Sequence, residues 1–518
     1  MEHIGKGKYS MESLNSSIIV ILKKLNVDTL FVIPGSLMEI LYDIHNDGSF
    51  KIISAYHEEQ LGYMAMGYYN ATGKIPVIMV SQGPGETNLI TSIATANREQ
   101  IPMLIISSFQ NDKSKLYFQQ NTGDFHNPDV FSLMTGVCDL CWRIEKFLND
   151  LEINHITNTI KKCSSPIYIA VNTSSARGVG IIQEYINIPN ELKNENISSI
   201  IDNAVKKEIE TAFLIGAGVG DSTFRLIAEL QKYDCPIFYT IKAMDRFNNN
   251  YKNVMGRIGK MGNTDCNIYL SEKCNQLIVF GASLNSNTIA KWFKKFIIRN
   301  GKLIHIGIED TPVCDTKQFY YYKFDKNSFN GIPLLGTSKS IHTTPLTRIL
   351  HSGNESKTFV FEAYNSTFVP YFNTQKDEKF LMCVGFGPLG SCISMATGAS
   401  IGDNKRLYIV TCGDGGWLFS GFTLLNLSKL KLPILVIINI NKEYRTVADG
   451  QRKRISRSIA TDLFLPNLKS TGDFFYIETA FADTIQDFEK AYSKFRSNKQ
   501  PMILFIKDEI YEVKDKGE

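Results

Sequence analysis

Two carboxylates and one amide stand where this chain could do chemistry. The apolar run 407–411 leads into Gly413-Asp414-Gly415-Gly416, the run 434–438 leads into Asn439-Ile440-Asn441, and Asp414 and Asn441 are 27 residues apart. Runs of this kind read as buried parallel strands, and glycines after the first allow a tight turn and close approach of a ligand to the backbone. A carboxylate and an amide oxygen at two strand ends suit Mg²⁺, which takes few protein ligands and completes its shell with water and phosphate oxygens. The second carboxylate is Glu58, in Tyr56-His57-Glu58-Glu59, where a strand is predicted to end and a helix to begin. Its neighbour Glu59 fits an ordinary complement to the helix dipole. Two glycine-rich turns accompany these groups, Gln82-Gly83-Pro84-Gly85-Glu86-Thr87-Asn88 and Gly385-Phe386-Gly387-Pro388-Leu389-Gly390. Such a turn can face a phosphate or be a plain corner, and the residues alone leave both readings open.

The elements that must position these groups alternate. Strands are predicted at 29–33, 51–55, 77–81 and 103–107, with helices at 10–26, 59–70 and 86–96. This βαβ rhythm predicts an α/β fold with a doubly wound parallel sheet. A polar, Asn-rich stretch after about residue 178 reads as a linker. A new set begins at 211–215, running into Gly216-Ala217-Gly218-Val219-Gly220, and continues at 277–281 and 303–308. The loop-rich segment 331–357 then leads to a strand at 358–361, and the small-residue helix 391–400 is expected to pack closely against a sheet.

Composition narrows the function classes. The 518 residues carry 56 basic and 52 acidic side chains, a formal +4 without long blocks of one sign, which argues against nucleic acid or a membrane surface as partner. No signal-peptide pattern opens the chain and no apolar run is long enough for a membrane span, so a cytoplasmic location is expected. Ten dispersed cysteines read as free thiols, and the Cys138/Cys141 pair as packed thiols within a strand.

Taken together, the motifs resemble one family. Gly413-Asp414-Gly415 followed at this distance by Asn441 resembles the cofactor signature of thiamine-diphosphate enzymes, many of which carry paired asparagines where this chain reads Ile440-Asn441. His57-Glu58, then Gly67-Tyr68 and Ala71-Thr72-Gly73-Lys74, resembles the pyrimidine-binding domain of the acetolactate-synthase-like branch. The turn 82–88 resembles its SGPGxTN, Tyr117-Phe118-Gln119-Gln120 its F-Q stretch, and 385–390 its G-x-G-x-(M/L)-G. Asn365-Ser366 resembles its G-N-T/S turn, with Tyr364 in place of the glycine.

The resemblance implies three doubly wound α/β domains: pyrimidine-binding at 1–180, central at 190–340 and diphosphate-binding at 355–518. It implies thiamine diphosphate with Mg²⁺, the metal held by Asp414, Asn441 and the backbone carbonyl of Glu443. Cofactor contacts are implied at Pro34, Gly83, Pro84, Gly85, Asn88, Asn365, Ser366, Gly387, Leu389, Gly413, Asp414, Gly415, Gly416 and Asn441, with Leu389 wedged between the two cofactor rings. Gly35, Phe118 and Gln119 are the implied substrate neighbours, and Glu58 is the implied catalytic residue. A carboxyl held against N1′ of the aminopyrimidine shares a proton with the ring and favours the tautomer whose imino group acts as base. Some relatives bind FAD in the central domain, but Gly281-Ala282-Ser283-Leu284-Asn285 stands where they usually show Arg-Phe-Asp, so FAD is not expected. The implied activity is decarboxylation of a 2-oxo acid with transfer of the acyl unit to a carbonyl acceptor. Release of an aldehyde is the alternative, and a catalytically silent subunit a second. A homodimer or homotetramer with active sites at the subunit interface is implied. Gly450 stands where acetolactate synthases place a Trp, and the basic run 451–454 is either solvated surface or a contact for an anionic substrate.

Overall fold

The computed structural model describes residues 13–109, 130–172, 181–186, 197–205, 209–247, 251, 253–260, 262–282, 284, 286–299, 301–307, 319–323, 344–363, 372, 374–375 and 377–507. Three sheets follow one another along the chain. The first contains β1 (Thr29–Val32), β2 (Lys51–Ser54), β3 (Val77–Met79), β4 (Leu104–Phe109), β5 (Leu140–Ile144), β6 (Ile167–Asn172) and β7 (Ile181–Ile186), in the order β2-β1-β3-β4-β6-β5-β7. The second contains β8 (Thr211–Ile215), β9 (Ile237–Tyr239), β10 (Val254–Arg257), β11 (Gln276–Phe280), β12 (Lys302–Gly307) and β13 (Phe319–Lys323), ordered β10-β9-β8-β11-β12-β13. The third contains β14 (Lys357–Phe361), β15 (Glu378–Met382), β16 (Leu407–Gly413), β17 (Ile434–Ile440), β18 (Glu478–Ala482) and β19 (Met502–Lys507), ordered β15-β14-β16-β17-β19-β18. Every pairing is parallel except that of β7 with β5. Helices cover the faces, so central strands such as β4 and β6 are buried throughout and read as continuous apolar runs.

Two sequence expectations change. The polar stretch after residue 178 contains β7 and a helix, Ile197–Ala204, rather than a plain linker. Its polarity belongs to a sheet edge: Glu184 on β7 accepts from Trp142 Nε1 at 2.7 Å and pairs with His155 at 2.7 Å. The helix expected at 86–96 is two, Pro84–Thr87 and Ile90–Arg98. Cys138 and Cys141 are buried and unbridged, and burial pushes the Cys138 thiol up, as packed thiols require. Among the described residues no helix is long and apolar enough to cross a membrane.

The sheets share their interiors. One apolar core joins Leu61, Met64 and Ile93 of the first unit to Ile393, Ala396 and Val436 of the third, and another joins Phe213 and Ile278 of the second to Phe359 and Ile409 of the third. The first junction centres on two helices, Glu58–Thr72 and Cys392–Gly402, buried continuously from Gln60 to Tyr68 and from Cys392 to Ser400. Small residues let their backbones touch. A Cβ on Gly398 would lie 1.7 Å from the Met64 carbonyl oxygen, and one on Gly67 would lie 1.8 Å from that of Met395. The helix at 391–400 therefore meets another helix as closely as it meets a sheet. Gln60 accepts from the Ser394 hydroxyl near one end of the pair, and Thr72 lies against Gly402 near the other, so the helices run in the same direction. Glu58 and the turn 385–390 consequently lie at the same end.

Candidate active site

At the carboxyl ends of β16 and β17, paired in register from Tyr408 with Ile434 to Gly413 with Asn439, the structure brings Asp414 to Asn441. Asp414 is 1% exposed. Its Oδ2 accepts from the backbone N–H groups of Asn441 at 3.0 Å and Lys442 at 2.5 Å, and its Oδ1 from that of Gly415 at 2.9 Å. Burial pushes the carboxyl pKa up, against the pull of these donors. The Asn441 Oδ1 accepts from the Glu443 N–H at 3.1 Å, which folds the turn 441–443 back on itself. Hydrogen bonds from Tyr444 N–H to the Thr461 carbonyl and from Leu463 N–H to the Lys442 carbonyl, both 2.8 Å, brace that turn from outside. The Glu443 side chain points elsewhere, in a two-pronged pair with Arg452 at 2.9 Å for each prong. Arg452 also reaches Asp449, so one member of the basic run 451–454 is neutralised.

Glu362 was not singled out from the sequence, and it ties two of the predicted turns together. It is 2% exposed at the end of β14 and accepts from Gly390 N–H at 3.0 Å, the Ser391 hydroxyl at 3.2 Å and the Cys392 thiol at 3.2 Å. A Cβ on Gly416 would come within 2.7 Å of its Oε2, so the carboxylate lies directly beneath the turn that follows Asp414. Burial raises its pKa. The only signal in the sequence was an acid at the end of an apolar strand. A second such anchor is Glu99: its Oε1 accepts from Gly385 N–H at 2.7 Å, and its Oε2 pairs with Lys242 of the second unit. Between these anchors Gly387 and Gly390 take φ of 72° and 80°, and Leu389 is half-buried.

The other half of the site gathers at the carboxyl ends of β1, β2 and β3. His57 caps the Glu58 helix, its Nδ1 accepting from Glu59 N–H at 3.2 Å, so Glu58 is the first helical residue. The two glutamates diverge. Glu59 takes the Tyr63 hydroxyl at 2.8 Å, whereas half-buried Glu58 turns its Oε2 to the Asn88 amide at 3.0 Å. A Cβ on Gly85 would stand 3.6 Å from Glu58 Oε1, so the turn 83–88 frames this carboxylate. Pro34 and Gly35 end β1 on the same rim, with Gly35 so close to Ser81 that a Cβ would fall 1.6 Å from its Oγ. The predicted residues thus form two groups: Pro34, Gly35, Glu58, Gly83, Pro84, Gly85 and Asn88 in one, and Gly387, Leu389, Gly413, Asp414, Gly415, Gly416, Asn441 and Glu443 in the other. Among the described residues no hydrogen bond joins Glu58 to the Asp414 group. Phe118, Gln119, Asn365 and Ser366 lie outside the described residues.

Three sheets of this topology, with an Asp–Asn corner on one and a glutamate at a helix start on another, agree with the sequence comparisons. Residues 13–130 match the N-terminal TPP binding domain of thiamine pyrophosphate enzymes, 200–320 their central domain and 363–506 their C-terminal TPP binding domain. The chain belongs to the thiamine-pyrophosphate-dependent, acetolactate-synthase-like enzyme family. It is 24% identical to an uncharacterised protein of Methanocaldococcus jannaschii, over 93% of this chain and 95% of that one. It is 22% identical to the acetolactate synthase large subunit of Lactococcus lactis, over 84% and 81%, and 23% identical to the acetolactate synthase of Bacillus subtilis, over 86% and 84%.

Proposed function

We propose that the protein is a thiamine-diphosphate-dependent carboligase that decarboxylates a pyruvate-like 2-oxo acid and transfers the acyl unit to a second carbonyl. The observation that carries this reading is the meeting of buried Asp414 with the turn 441–443, in a chain whose other half presents Glu58 held by Asn88. A buried carboxylate that accepts from the backbone of the turn carrying Asn441, with no cationic side chain paired to it among the described residues, fits a hard divalent cation. Asp414, Asn441 and the Glu443 carbonyl would hold Mg²⁺, and the glycines 413, 415 and 416 would leave room for the diphosphate.

Thiamine diphosphate, when bound, supplies the carbon nucleophile for the keto group and takes the electron pair released with CO₂. The chain contributes position and charge. Glu58 holds a proton at N1′ of the pyrimidine, and Asn88 fixes the carboxylate that does so. Leu389, on a turn pinned by Glu362 and Glu99, would pack against the cofactor and orient it. Exposed Phe386, Phe419 and Phe422 lie beside these turns and would be covered in a homodimer or homotetramer, which would exclude water from the site. The reading includes a cytoplasmic location and no FAD. At the switch point of the second sheet, between β8 and β11, Gly218 N–H donates to the Gly281 carbonyl at 2.9 Å, and a Cβ on Gly216 would fall 2.3 Å from the Ala282 Cα. The close approach of these two turns at the place where such sheets bind dinucleotides supports the reading without FAD.

The test is CO₂ release from pyruvate with and without thiamine diphosphate and Mg²⁺, with mass spectrometry of the products. A cofactor-dependent product containing a new carbon–carbon bond is the expected result. Free acetaldehyde would replace the carboligase by a decarboxylase, and absence of cofactor binding would leave a silent subunit.

A further inference from the structure

The sequence pattern x in QGPGxTN is filled here by Glu86, which the mechanism above does not use. It is 0% exposed, although a carboxyl in such a place is costly unless hydrogen-bonded. Among the described residues its partners come from three elements. Oε2 accepts from Gly83 N–H at 2.7 Å, and Oε1 accepts from the hydroxyls of Ser107 on β4 and Tyr168 on β6, which are 2.9 Å from each other. Gly83 adopts φ 70° and ψ −107°, a conformation suited to glycine, and the Glu86 carboxylate closes the turn that follows it. That turn ends at Asn88, the residue that holds Glu58, and it includes Gly85, whose Cβ position lies 3.6 Å from Glu58 Oε1.

We infer that Glu86 is a positioning residue for Glu58, that its ionised carboxylate keeps the turn 83–88 in place, and that protonating it loosens the turn and slows turnover. The inference rests on the proposed role of Glu58. Protonation replaces a charge-assisted hydrogen bond from the fixed Gly83 N–H by a neutral one of roughly half the strength. The two hydroxyls can rotate to accept the new O–H, whereas the backbone N–H cannot adapt. Among the described residues, the titratable and charged groups facing Glu86 are Tyr168 on β6 and Arg143 on β5, whose guanidinium lies 4.6 Å from the centre of the Phe131 ring, with Glu58 on the far side of Gly85. Burial pushes the Glu86 carboxyl up to about 7, with Ser107, Tyr168, Gly83 and Arg143 drawing it back. The change therefore falls near neutral pH.

The experiment measures kcat and KM of the holoenzyme between about pH 6 and about pH 8.5 for the wild type, Glu86→Gln and Tyr168→Phe. For the wild type, kcat should rise through a midpoint near 7 while KM stays flat. Glu86→Gln, neutral at every pH, should lack this limb and stay about tenfold below the alkaline wild-type plateau. Tyr168→Phe should move the midpoint upward, because it removes a donor to the ionised form. A purely structural Glu86 would leave the limb in Glu86→Gln, and that result, or an unmoved midpoint in Tyr168→Phe, would overturn the inference. Calorimetric titration of thiamine diphosphate with Mg²⁺ supplies an arm that needs no turnover. Affinity should weaken below neutral pH in the wild type and not in Glu86→Gln. Binding that is tight but equally pH-dependent in both defeats the inference alone, whereas a wild type that binds no cofactor defeats the proposed function and the inference with it.

Discussion

A carboxylate as buried as Asp414 ordinarily has a cation beside it or loses its charge. Here it has three backbone donors and, among the described residues, no cationic side chain paired to it, which is what supports reading it as a ligand for a divalent cation. Glu58 is the complementary case, a half-buried acid whose Oε2 accepts from the Asn88 amide. Glu58→Gln should bind thiamine diphosphate within about tenfold of the wild type yet turn over about 10²- to 10⁴-fold more slowly, as read by calorimetry and CO₂ release on the same preparation. Normal turnover by the variant would remove Glu58 from the chemistry. The placement of Asp414, Asn441 and Glu58 at strand ends and a helix start was legible in the sequence because apolar runs ending in glycine or acid fix it. Glu362, Glu86 and Glu99 were not legible, because an acid near the end of a strand or helix looks the same in sequence whether it faces solvent or supports a neighbouring turn from beneath.

The Glu58 and Cys392 helices set the distance between the two half-sites' supports by letting backbone meet backbone at Gly67 and Gly398. The small residues of 391–400 announced close packing, but their spacing could not say whether a sheet or a helix would receive them. Gly398→Ala should cost about 3 kcal/mol in urea unfolding, since the added carbon strikes the Met64 carbonyl rather than a side chain that can yield. Gly450→Ala is the matching control. Gly450 lies within the Arg445–Ile455 helix, where a Cβ meets nothing within 4 Å, so the change should raise stability by roughly 0.5–1 kcal/mol. Equal effects of the two substitutions would show that the helix pair is not the rigid junction described here. The edge strand β7 was hidden for a related reason: it carries Gln183 and Glu184 within a polar stretch, and pattern alone assigns such a stretch to a loop.

At the scale of the molecule, the βαβ alternation made the sheets and their parallel strands legible. The apolar cores that unite neighbouring units were not, because periodicity identifies an inward face without naming what it faces. Each half-site sits at the carboxyl edge of its own sheet, and the proposed oligomer would complete one half from a second chain. Mixing Glu58→Gln chains with Asp414→Ala chains tests this. Random pairing of two inactive variants should restore about one quarter of wild-type activity, because half of the dimers are mixed and each mixed dimer contains one intact site. Activity that stays at the level of the separate variants would mean that each chain builds its site alone.

The most direct measurement of the central claim is a calorimetric titration of thiamine diphosphate, in the presence of Mg²⁺, into the wild-type protein and Asp414→Ala. One equivalent per chain should bind to the wild type, and affinity should fall by roughly a hundredfold or more in the variant, which loses the proposed metal ligand itself. A wild type that binds nothing, or a variant that binds as tightly, would contradict the account.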